Sequence, residues 1–311
     1  MIPRSVGPRS MSPPYMSPGL SGVIAAIATP ITAELAPDVP RFIKLAQYLL
    51  SNGCDGLNVL GTTGEATSFS FEQRAGVMRA AAAELDRGCL MVGTGAASLA
   101  DANGLTRLAA ELGFAGALIL PPFYYKDIDP HGVFDYLSAI VAATKARPIP
   151  IYLYNFPALS GVPYTREIVA RLIEAFPDRL AGLKDSSGDM PYARALAKAH
   201  PGFAVFPSTE AVLGDARSAG FAGCISATAN LNSDLCGQAW RNGDERALGR
   251  AVAIRKLFDG KPLVAGVKAG LSHIHLDERL ARPMPPLVAW PQAERKWLDG
   301  AIQEIRAGVP A

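Results

Sequence analysis

A lysine lies where an apolar segment of the sequence meets a polar turn. Lys184 ends the apolar run 180–184 and is followed at once by residues 185–188, Asp-Ser-Ser-Gly. Partial removal from water disfavours the ammonium form of a lysine, and the free amine can attack a carbonyl carbon. The position favours a Schiff-base nucleophile. A salt bridge to a carboxylate in a neighbouring loop is the alternative.

Two tyrosines lie in a second apolar run, 149–154, which leads into residues 155–157, Asn-Phe-Pro. Side chains alternate along a strand, so Tyr152 and Tyr154 share one face, with Tyr154 at its end. A phenol in that place can transfer protons. Packing with a satisfied hydroxyl is the commoner role of a tyrosine, and both interpretations stay open.

Two loops that follow apolar runs have the composition of substrate-binding segments. Residues 61–65, Gly-Thr-Thr-Gly-Glu, offer hydroxyls and backbone amides that suit a carboxylate, although a plain structural turn uses the same residues. Residues 121–125, Pro-Pro-Phe-Tyr-Tyr, are compatible with a rigid aromatic lid or with a hydrophobic corner.

The elements that must position these residues follow a regular alternation. Eight short apolar runs alternate with segments of helical period, which is typical of parallel strands joined by crossover helices. The predicted strands are 23–28, 56–60, 90–93, 116–120, 149–154, 180–184, 204–207 and 223–226. The predicted helices between them are 40–50, 71–85, 100–112, 132–144, 165–176, 192–199 and 211–219, with Asp38, Ser70, Ser98 and Thr165 as N-caps.

Eight such units favour an α/β fold of the (β/α)8 TIM-barrel class over a doubly wound sheet, which usually stops at five or six strands. Helical periodicity continues in 236–258, 264–275 and 293–305, which predicts an appended C-terminal helical layer. We therefore expect a disordered N-terminal tail at 1–19, a barrel at 20–231 and C-terminal helices packed on the barrel at 232–311.

Composition excludes several classes of protein. A net charge of +2 with 19% charged residues gives no field to gather phosphate backbones, so we expect no nucleic-acid partner. The apolar runs are far shorter than a membrane span, so we expect no membrane partner. Four scattered cysteines indicate free thiols in a reducing, cytoplasmic location. The four histidines show no spacing typical of metal ligands, so no metal site is predicted.

In a barrel the four chemical features come together, because the carboxyl ends of the strands meet at one mouth. Three of the segments, 61–65, 154–157 and 182–188, resemble the signature segments of the dihydrodipicolinate synthase and N-acetylneuraminate lyase family of class I aldolases. The similarity runs from about Gly19 to the C-terminus.

The resemblance implies a role for each matching residue. Lys184 is implied as the Schiff-base lysine and Tyr154 as the proton relay, while Thr62 and Thr63 bind the carboxylate of pyruvate. Tyr124 matches an aromatic hydroxyl contributed across a subunit interface, which implies a homo-oligomer, commonly a homotetramer built as a dimer of dimers. The full set of implied substrate-binding residues is Gly61, Thr63, Leu159, Ser186, Ser208, Thr209, Glu210 and Ile225. No cofactor is implied, because the protonated imine is itself the electron sink.

Members of the family that this chain resembles differ in the second substrate that they use. Leu159 stands where dihydrodipicolinate synthases have an arginine for a substrate carboxylate, and a leucine cannot make that contact. N-acetylneuraminate lyases read sugar hydroxyls with an aspartate and a glutamate, and here only Glu210 matches, beside Thr209. We therefore expect a lyase or aldolase that joins pyruvate or another 2-oxo acid to an aldehyde.

Four alternatives remain. Two lie within the family: a true 4-hydroxy-tetrahydrodipicolinate synthase and a sialic acid or sugar-acid lyase. A third is a non-catalytic metabolite-binding barrel, because a fold does not guarantee an activity. A phosphate-binding barrel enzyme is the fourth, although the seventh and eighth loops lack a glycine-rich turn.

Overall fold

Eight parallel strands form the centre of the molecule. The computed structural model describes residues 19–308. The strands are β1 (Gly22–Ala26), β2 (Gly56–Val59), β3 (Leu90–Gly93), β4 (Gly116–Ile119), β5 (Ile151–Asn155), β6 (Leu180–Asp185), β7 (Ala204–Pro207) and β8 (Gly223–Ser226). They pair in the order β7-β6-β5-β4-β3-β2-β1-β8. The amide of Ala222, beside β8, donates to the carbonyl of Val205 on β7 at 3.0 Å, which brings the two outer strands together. The predicted (β/α)8 barrel is confirmed.

Helices follow the strands in alternation. They are α1 (Val39–Ser51), α2 (Phe71–Glu84), α3 (Leu99–Leu112), α4 (Pro130–Ala143), α5 (Pro157–Ser160), α6 (Arg166–Ala175), α7 (Met190–Ala199), α8 (Ala216–Ala219), α9 (Ala229–Asn242), α10 (Glu245–Lys256), α11 (Leu263–Ile274) and α12 (Gln292–Ala307). Short 3-10 turns occur at Ala66–Ser68, Arg87–Cys89, Glu210–Gly214 and Glu278–Ala281. In the described part of the chain, no helix is both long enough and apolar enough to cross a membrane.

The predicted helix starts agree closely with the structure. Side-chain oxygens of Asp38, Ser70, Ser98 and Thr165 each accept a hydrogen bond from a first-turn amide, so the four predicted N-caps are confirmed. One helix differs. The segment predicted as a helix at 211–219 is a 3-10 turn followed by the short α8, with Asp215 between them at a φ of −123°. Gly214 precedes this break, and glycine is a poor helix former.

Both faces of the barrel strands are buried. One face packs against the helices, and the other fills the barrel with a separate apolar cluster. This inner cluster consists of Leu20, Ile24, Ala26, Met91, Leu118, Tyr152, Tyr154, Ala181, Phe206 and Ile225. Because side chains alternate along a strand, Leu153 and Leu183 point instead to the helix layer. Tyr154 and Lys184 therefore point into the barrel.

The C-terminal helices form the expected additional layer. Arg306 of α12 binds the carboxylate of Asp234 on α9 through both terminal nitrogens, at 2.9 and 3.0 Å, which joins the first and last helices of this layer. The boundary proposed between residues 231 and 232 falls inside α9, where Asn232 has a non-helical φ of −136°. The division of the chain into parts stays a proposal, and the tail proposed at 1–19 lies outside the described residues apart from Gly19.

Candidate active site

Lys184 lies inside the barrel at the carboxyl end of β6. Its side chain is buried, and its Nζ lies 4.2 Å from the centroid of the Tyr154 ring. No carboxylate within residues 19–308 forms a salt bridge with it. The salt-bridge alternative considered for this lysine is therefore wrong for the described chain, and the nitrogen faces an aromatic ring.

Tyr154 joins the lysine to the loop after β2. Its hydroxyl lies 3.0 Å from Thr62 Oγ1, and either group can be the donor. Tyr154 is buried, while Thr62 is half-buried. Hydroxyls at this distance can pass a proton between them. Lys184 therefore contacts the ring of Tyr154, and the hydroxyl of Tyr154 is hydrogen-bonded to Thr62, so the three side chains lie next to one another across the barrel mouth.

The loop that carries Thr62 has a constrained backbone. Leu60 and Glu65, on either side of it, have positive φ values of 54° and 53°, a left-handed conformation that is unfavourable for residues other than glycine. Gly61 lies so close to Asn58 that an added Cβ would be 2.5 Å from Asn58 Oδ1. A side chain at position 61 would displace Asn58, and the two strained residues need external contacts that hold them.

External contacts to this turn come from the C-terminal layer and from the loop after β1. Glu65 forms a buried ion pair with Lys268 of α11, and both side chains are 1% exposed. Glu65 Oε1 also accepts from the Met284 amide at 2.6 Å, and Thr29 Oγ1 donates to the Gly64 carbonyl at 2.9 Å. Burial lowers the pKa of Lys268, and the Glu65 carboxylate opposes that shift. The C-terminal helices therefore anchor the loop that carries Thr62.

A second polar network fixes the loops after β5 and β6. Asn155 Nδ2 donates to Asp185 Oδ1 at 2.8 Å, and Asn155 Oδ1 accepts from the Tyr164 amide at 3.0 Å. Ser187 donates to Asp185 through its hydroxyl at 2.9 Å. Burial raises the pKa of Asp185, although these donors oppose the shift. The network positions the strand ends that carry Tyr154 and Lys184, a role that Asn155 and Asp185 were not assigned from sequence.

A cavity of about 280 Å³ opens beside Tyr154 and Thr62. We call it the strand-end cavity. Its lining is Leu60, Gly61, Thr62, Ala66, Thr67, Gly93, Gly95, Leu118, Leu120, Phe123, Tyr154, Phe156, Leu159 and Ser160. Four of these residues, Gly61, Thr62, Tyr154 and Leu159, were predicted as site residues. Phe123 and Phe156 belong to segments singled out from sequence, whereas Leu60, Leu118 and Leu120 were not predicted, because they come from separate segments and carry no motif.

The other predicted site residues lie around this cavity rather than in its lining. Lys184 adjoins it through the ring of Tyr154, and Ile225 is buried inside the barrel. Tyr124 is 73% exposed and makes an edge contact with Tyr125. Thr63 is buried in the turn. The remaining three, Ser186, Ser208 and Thr209, are half-buried at strand ends. The Ser186 amide donates to the Asn155 carbonyl, and the Ser208 amide donates to the Asp185 carbonyl. Thr209 is the N-cap of the 3-10 turn that follows.

The structure corrects the expectation for Glu210. Its side chain is fully buried, and Oε1 accepts hydrogen bonds from Ser226 and Thr228. Ile225 points into the barrel, so Ser226 must point outward, where Arg255 of α10 donates to its hydroxyl at 3.4 Å. Glu210 therefore lies between β8 and the helix layer and cannot read substrate hydroxyls in the cavity.

Within residues 19–308, no group of three or more His, Cys, Asp or Glu side chains is placed to hold a metal ion. The side chains that converge at the barrel mouth are an amine, a phenol and hydroxyls. These groups suit proton transfer and attack on a carbonyl.

Comparisons with known proteins agree with this geometry. Residues 19–305 match the model of the dihydrodipicolinate synthetase family. An uncharacterized DapA-like lyase of Chloroflexus aurantiacus is 32% identical over 295 residues, which cover 93% of this chain and 98% of the relative.

Solved structures give the same result. The crystal structure of dihydrodipicolinate synthase from Agrobacterium tumefaciens superposes with a TM-score of 0.85 and 29% identity, over 91% of this chain and 99% of that one. YagE from E. coli K12, a member of the same family solved in complex with pyruvate, has a TM-score of 0.83 and 25% identity, over 92% and 98% of the two chains. The family predicted from the strand-end motifs is confirmed: the chain belongs to the dihydrodipicolinate synthetase family and is an enzyme, a lyase of the aldolase type.

Proposed function

We propose that Lys184 forms a Schiff base with pyruvate or a related 2-oxo acid, and that the enzyme then makes or breaks a carbon–carbon bond to an aldehyde. One observation carries the proposal. The Lys184 nitrogen lies against the Tyr154 ring, and the Tyr154 hydroxyl lies 3.0 Å from Thr62. A nucleophile and a proton-transfer group are thus adjacent in a buried place.

The proposed reaction begins with attack of the neutral Lys184 amine on the carbonyl carbon of pyruvate. The carbinolamine that forms loses water, and Tyr154 donates the proton that lets the hydroxyl leave. The protonated imine then accepts the electron pair released when a proton leaves the neighbouring methyl carbon, which gives an enamine. In this proposal the Tyr154 phenolate takes up the methyl proton and returns it to the aldehyde oxygen as the enamine carbon attacks the aldehyde carbon. Hydrolysis of the new imine then releases the product and returns Lys184. Cleavage follows the same steps in reverse.

The loop after β2 is proposed to hold the carboxylate of pyruvate. Thr62 and Thr63 with the turn amides supply donors, and hydrogen bonds to a charged acceptor are stronger than neutral ones. The contacts of Glu65 with Lys268 and Met284 support this role, because they hold the turn in its strained conformation. In this proposal the strain gives a preorganised carboxylate site.

The exposed side chain of Tyr124 leads to a proposal about assembly. A tyrosine that is 73% exposed beside the site is available to a second copy of the chain. We propose a homotetramer, a dimer of dimers, in which Tyr124 completes the proton relay of its neighbour. The four free thiols, three of them buried, support a reducing, cytoplasmic location.

Borohydride trapping tests the Schiff base directly. The protein is reduced in the presence of pyruvate, and its intact mass is measured for wild type, Lys184→Ala and Lys198→Ala. Lys198 is an exposed lysine of α7, so its substitution is a matched control. We expect a pyruvate adduct in wild type and in Lys198→Ala, and none in Lys184→Ala. An adduct in Lys184→Ala, or no adduct in wild type, would contradict the proposal.

A further inference from the structure

The strand-end cavity has an apolar wall, and this bears on the second substrate. Resting on the proposed Schiff-base function, we propose that the aldehyde partner is uncharged and carries an apolar alkyl or aryl group, which binds in this cavity. A volume of about 280 Å³ is close to the lower limit, roughly 300 Å³, of pockets that hold small molecules. The cavity can therefore hold a compact apolar group next to Tyr154.

The chemistry of the lining carries the proposal. Six leucine and phenylalanine side chains, from β4 and from the loops after β2, β4 and β5, line the cavity, and the lining includes no Asp, Glu, Lys, Arg or His. Leu118 lies on β4 opposite Gly93 of β3, and both line the cavity. Phe123 and Phe156 are half-buried and Leu159 is 61% exposed, so these three lie toward solvent. A carboxylate or phosphate on the aldehyde, placed against this apolar wall and away from the polar turn proposed for pyruvate, would lose its hydration without gaining a counter-charge, which is unfavourable.

The polar groups of the lining are largely committed to other partners. Ser160 Oγ donates toward the carbonyls of Phe156 and Val162, at 3.1 and 2.8 Å, and Thr62 is paired with Tyr154. Thr67 is the exposed polar side chain of the lining. A sugar aldehyde would therefore bury several hydroxyls with few partners, and each unpaired hydroxyl lowers its affinity.

Two cations outside the lining, other than Lys184, bind its backbone carbonyls. Arg74 donates to the carbonyls of Gly93 and Gly95, at 2.9 and 3.1 Å. Lys126 Nζ donates to the Ser160 carbonyl at 2.9 Å and to the Phe123 carbonyl. Phe123 and Ser160 both line the cavity, so Lys126 joins the two segments that form its mouth. This ammonium group stabilises the apolar wall through backbone carbonyls and is not positioned to receive a substrate carboxylate.

A panel of aldehydes tests the proposal with the full chain. Wild-type enzyme and pyruvate are incubated with benzaldehyde, isovaleraldehyde, succinic semialdehyde or glyceraldehyde, and the initial rate of product formation is corrected for the uncatalysed reaction. We expect kcat/KM for the two apolar aldehydes to exceed that for the other two by about tenfold or more, the discrimination typical of a well-matched apolar pocket. A preference for succinic semialdehyde or glyceraldehyde, or no turnover of any apolar aldehyde, would overturn the proposal.

A charge substitution makes the test specific to this cavity. Leu159 is 61% exposed at the mouth, so Leu159→Arg can be accommodated without loss of core packing. We expect this variant to lower kcat/KM for benzaldehyde and to raise it for succinic semialdehyde, because the new cation can pair with the carboxylate. Val288→Arg is the matched control, since Val288 is 78% exposed and lies outside the lining. An equal change in both variants would overturn the assignment of the cavity.

Trapping with pyruvate alone separates the two proposals. It requires no aldehyde, so it reports only on Lys184. Successful trapping with a preference for charged or hydroxylated aldehydes would overturn the inference about the second substrate and leave the Schiff base intact. Failure of trapping in wild type would overturn both.

Discussion

Tyr154 and Lys184 are register partners on the adjacent parallel strands β5 and β6, and the lysine nitrogen lies 4.2 Å from the centre of the tyrosine ring. Both side chains point into the barrel at the carboxyl ends of their strands. The backbone ladder therefore sets their separation, and little side-chain ordering is needed to bring them together. The same phenol reaches Thr62 on the loop after β2, which extends the relay across the mouth.

Tyr154→Phe removes the relay hydroxyl and leaves the ring that Lys184 faces. We expect kcat to fall by about 100-fold or more, a usual contribution of general acid–base catalysis, with the pyruvate adduct still trapped by borohydride. Steady-state kinetics with pyruvate and the best aldehyde measure the change. Tyr152→Phe is the control, because Tyr152 lies on the same face two residues deeper in β5. Equal losses of kcat in the two variants would show that the Tyr154 hydroxyl has no specific role in proton transfer.

Thr62→Val removes the partner of the Tyr154 hydroxyl with little change in shape. One neutral hydrogen bond is worth about 1 kcal/mol, so we expect kcat to fall several-fold to about tenfold. The effect of Thr62→Val on kcat should nearly vanish when Tyr154 is already replaced by Phe, because the two hydroxyls act as a pair. Full additivity of the two substitutions in a double-mutant cycle would argue that they act independently.

Tyr124→Phe tests the proposed contribution across a subunit interface. We expect this variant to lose activity on its own, and Lys184→Ala to be inactive. Mixed assemblies of the two should regain part of the activity, because some sites then combine an intact Lys184 with an intact Tyr124 from the neighbour. Tyr125→Phe, an equally exposed neighbour, is the control. No recovery in assemblies shown to be mixed would contradict the shared site.

Lys268→Met leaves the buried carboxylate of Glu65 without its partner. Removal of one member of a buried ion pair costs about 3–5 kcal/mol, so we expect a loss of that size in the free energy of unfolding, measured with urea. The double variant Glu65→Leu with Lys268→Met should recover part of the loss, since no charge then stays unpaired. Lys44→Met, at an exposed lysine of α1, should change stability little. A loss below about 1 kcal/mol for Lys268→Met would contradict a buried charged pair.

Cys54→Ala tests the pH dependence of stability. Burial raises the pKa of the Cys54 thiol from 9.0 to about 12, so above pH 9 the unfolded chain releases a proton that the folded chain keeps. The stability contributed by the neutral thiol is complete below pH 9 and is lost as pH rises toward 12. Each such group accounts for about 1.4 kcal/mol per pH unit in this window.

We expect the free energy of unfolding of wild type to fall steeply between pH 9 and pH 10.5, since burial also raises the pKa of Cys224 and Cys236. Cys54→Ala should be less stable at neutral pH because it loses packing, yet its stability should fall less steeply over the same interval. Urea unfolding at several pH values measures both slopes. If the free energy of unfolding fell with pH at the same slope in both proteins, the raised pKa of Cys54 would be contradicted.

The strands, the helix starts and the family could be predicted from the sequence because their signals are local. Short apolar runs mark strands such as β3 and β8, whose observed bounds are the predicted ones. Ser70 and Thr165 cap helices through contacts three residues away. The strand-end positions of Lys184 and Tyr154 followed from the same periodicity. Once the barrel was inferred, its geometry placed both at the mouth.

Contacts between distant segments were decided only by the tertiary structure. Glu210 looked like a substrate ligand from its place after β7, but pairing with Ser226 and Thr228 holds it on the outer side of β8. The partnership of Glu65 with Lys268 joins positions about 200 residues apart. The apolar wall of the strand-end cavity combines side chains from β4 and three loops. Local sequence determines which face of an element is apolar, whereas the packing of all elements determines which polar groups meet and which are left facing a cavity.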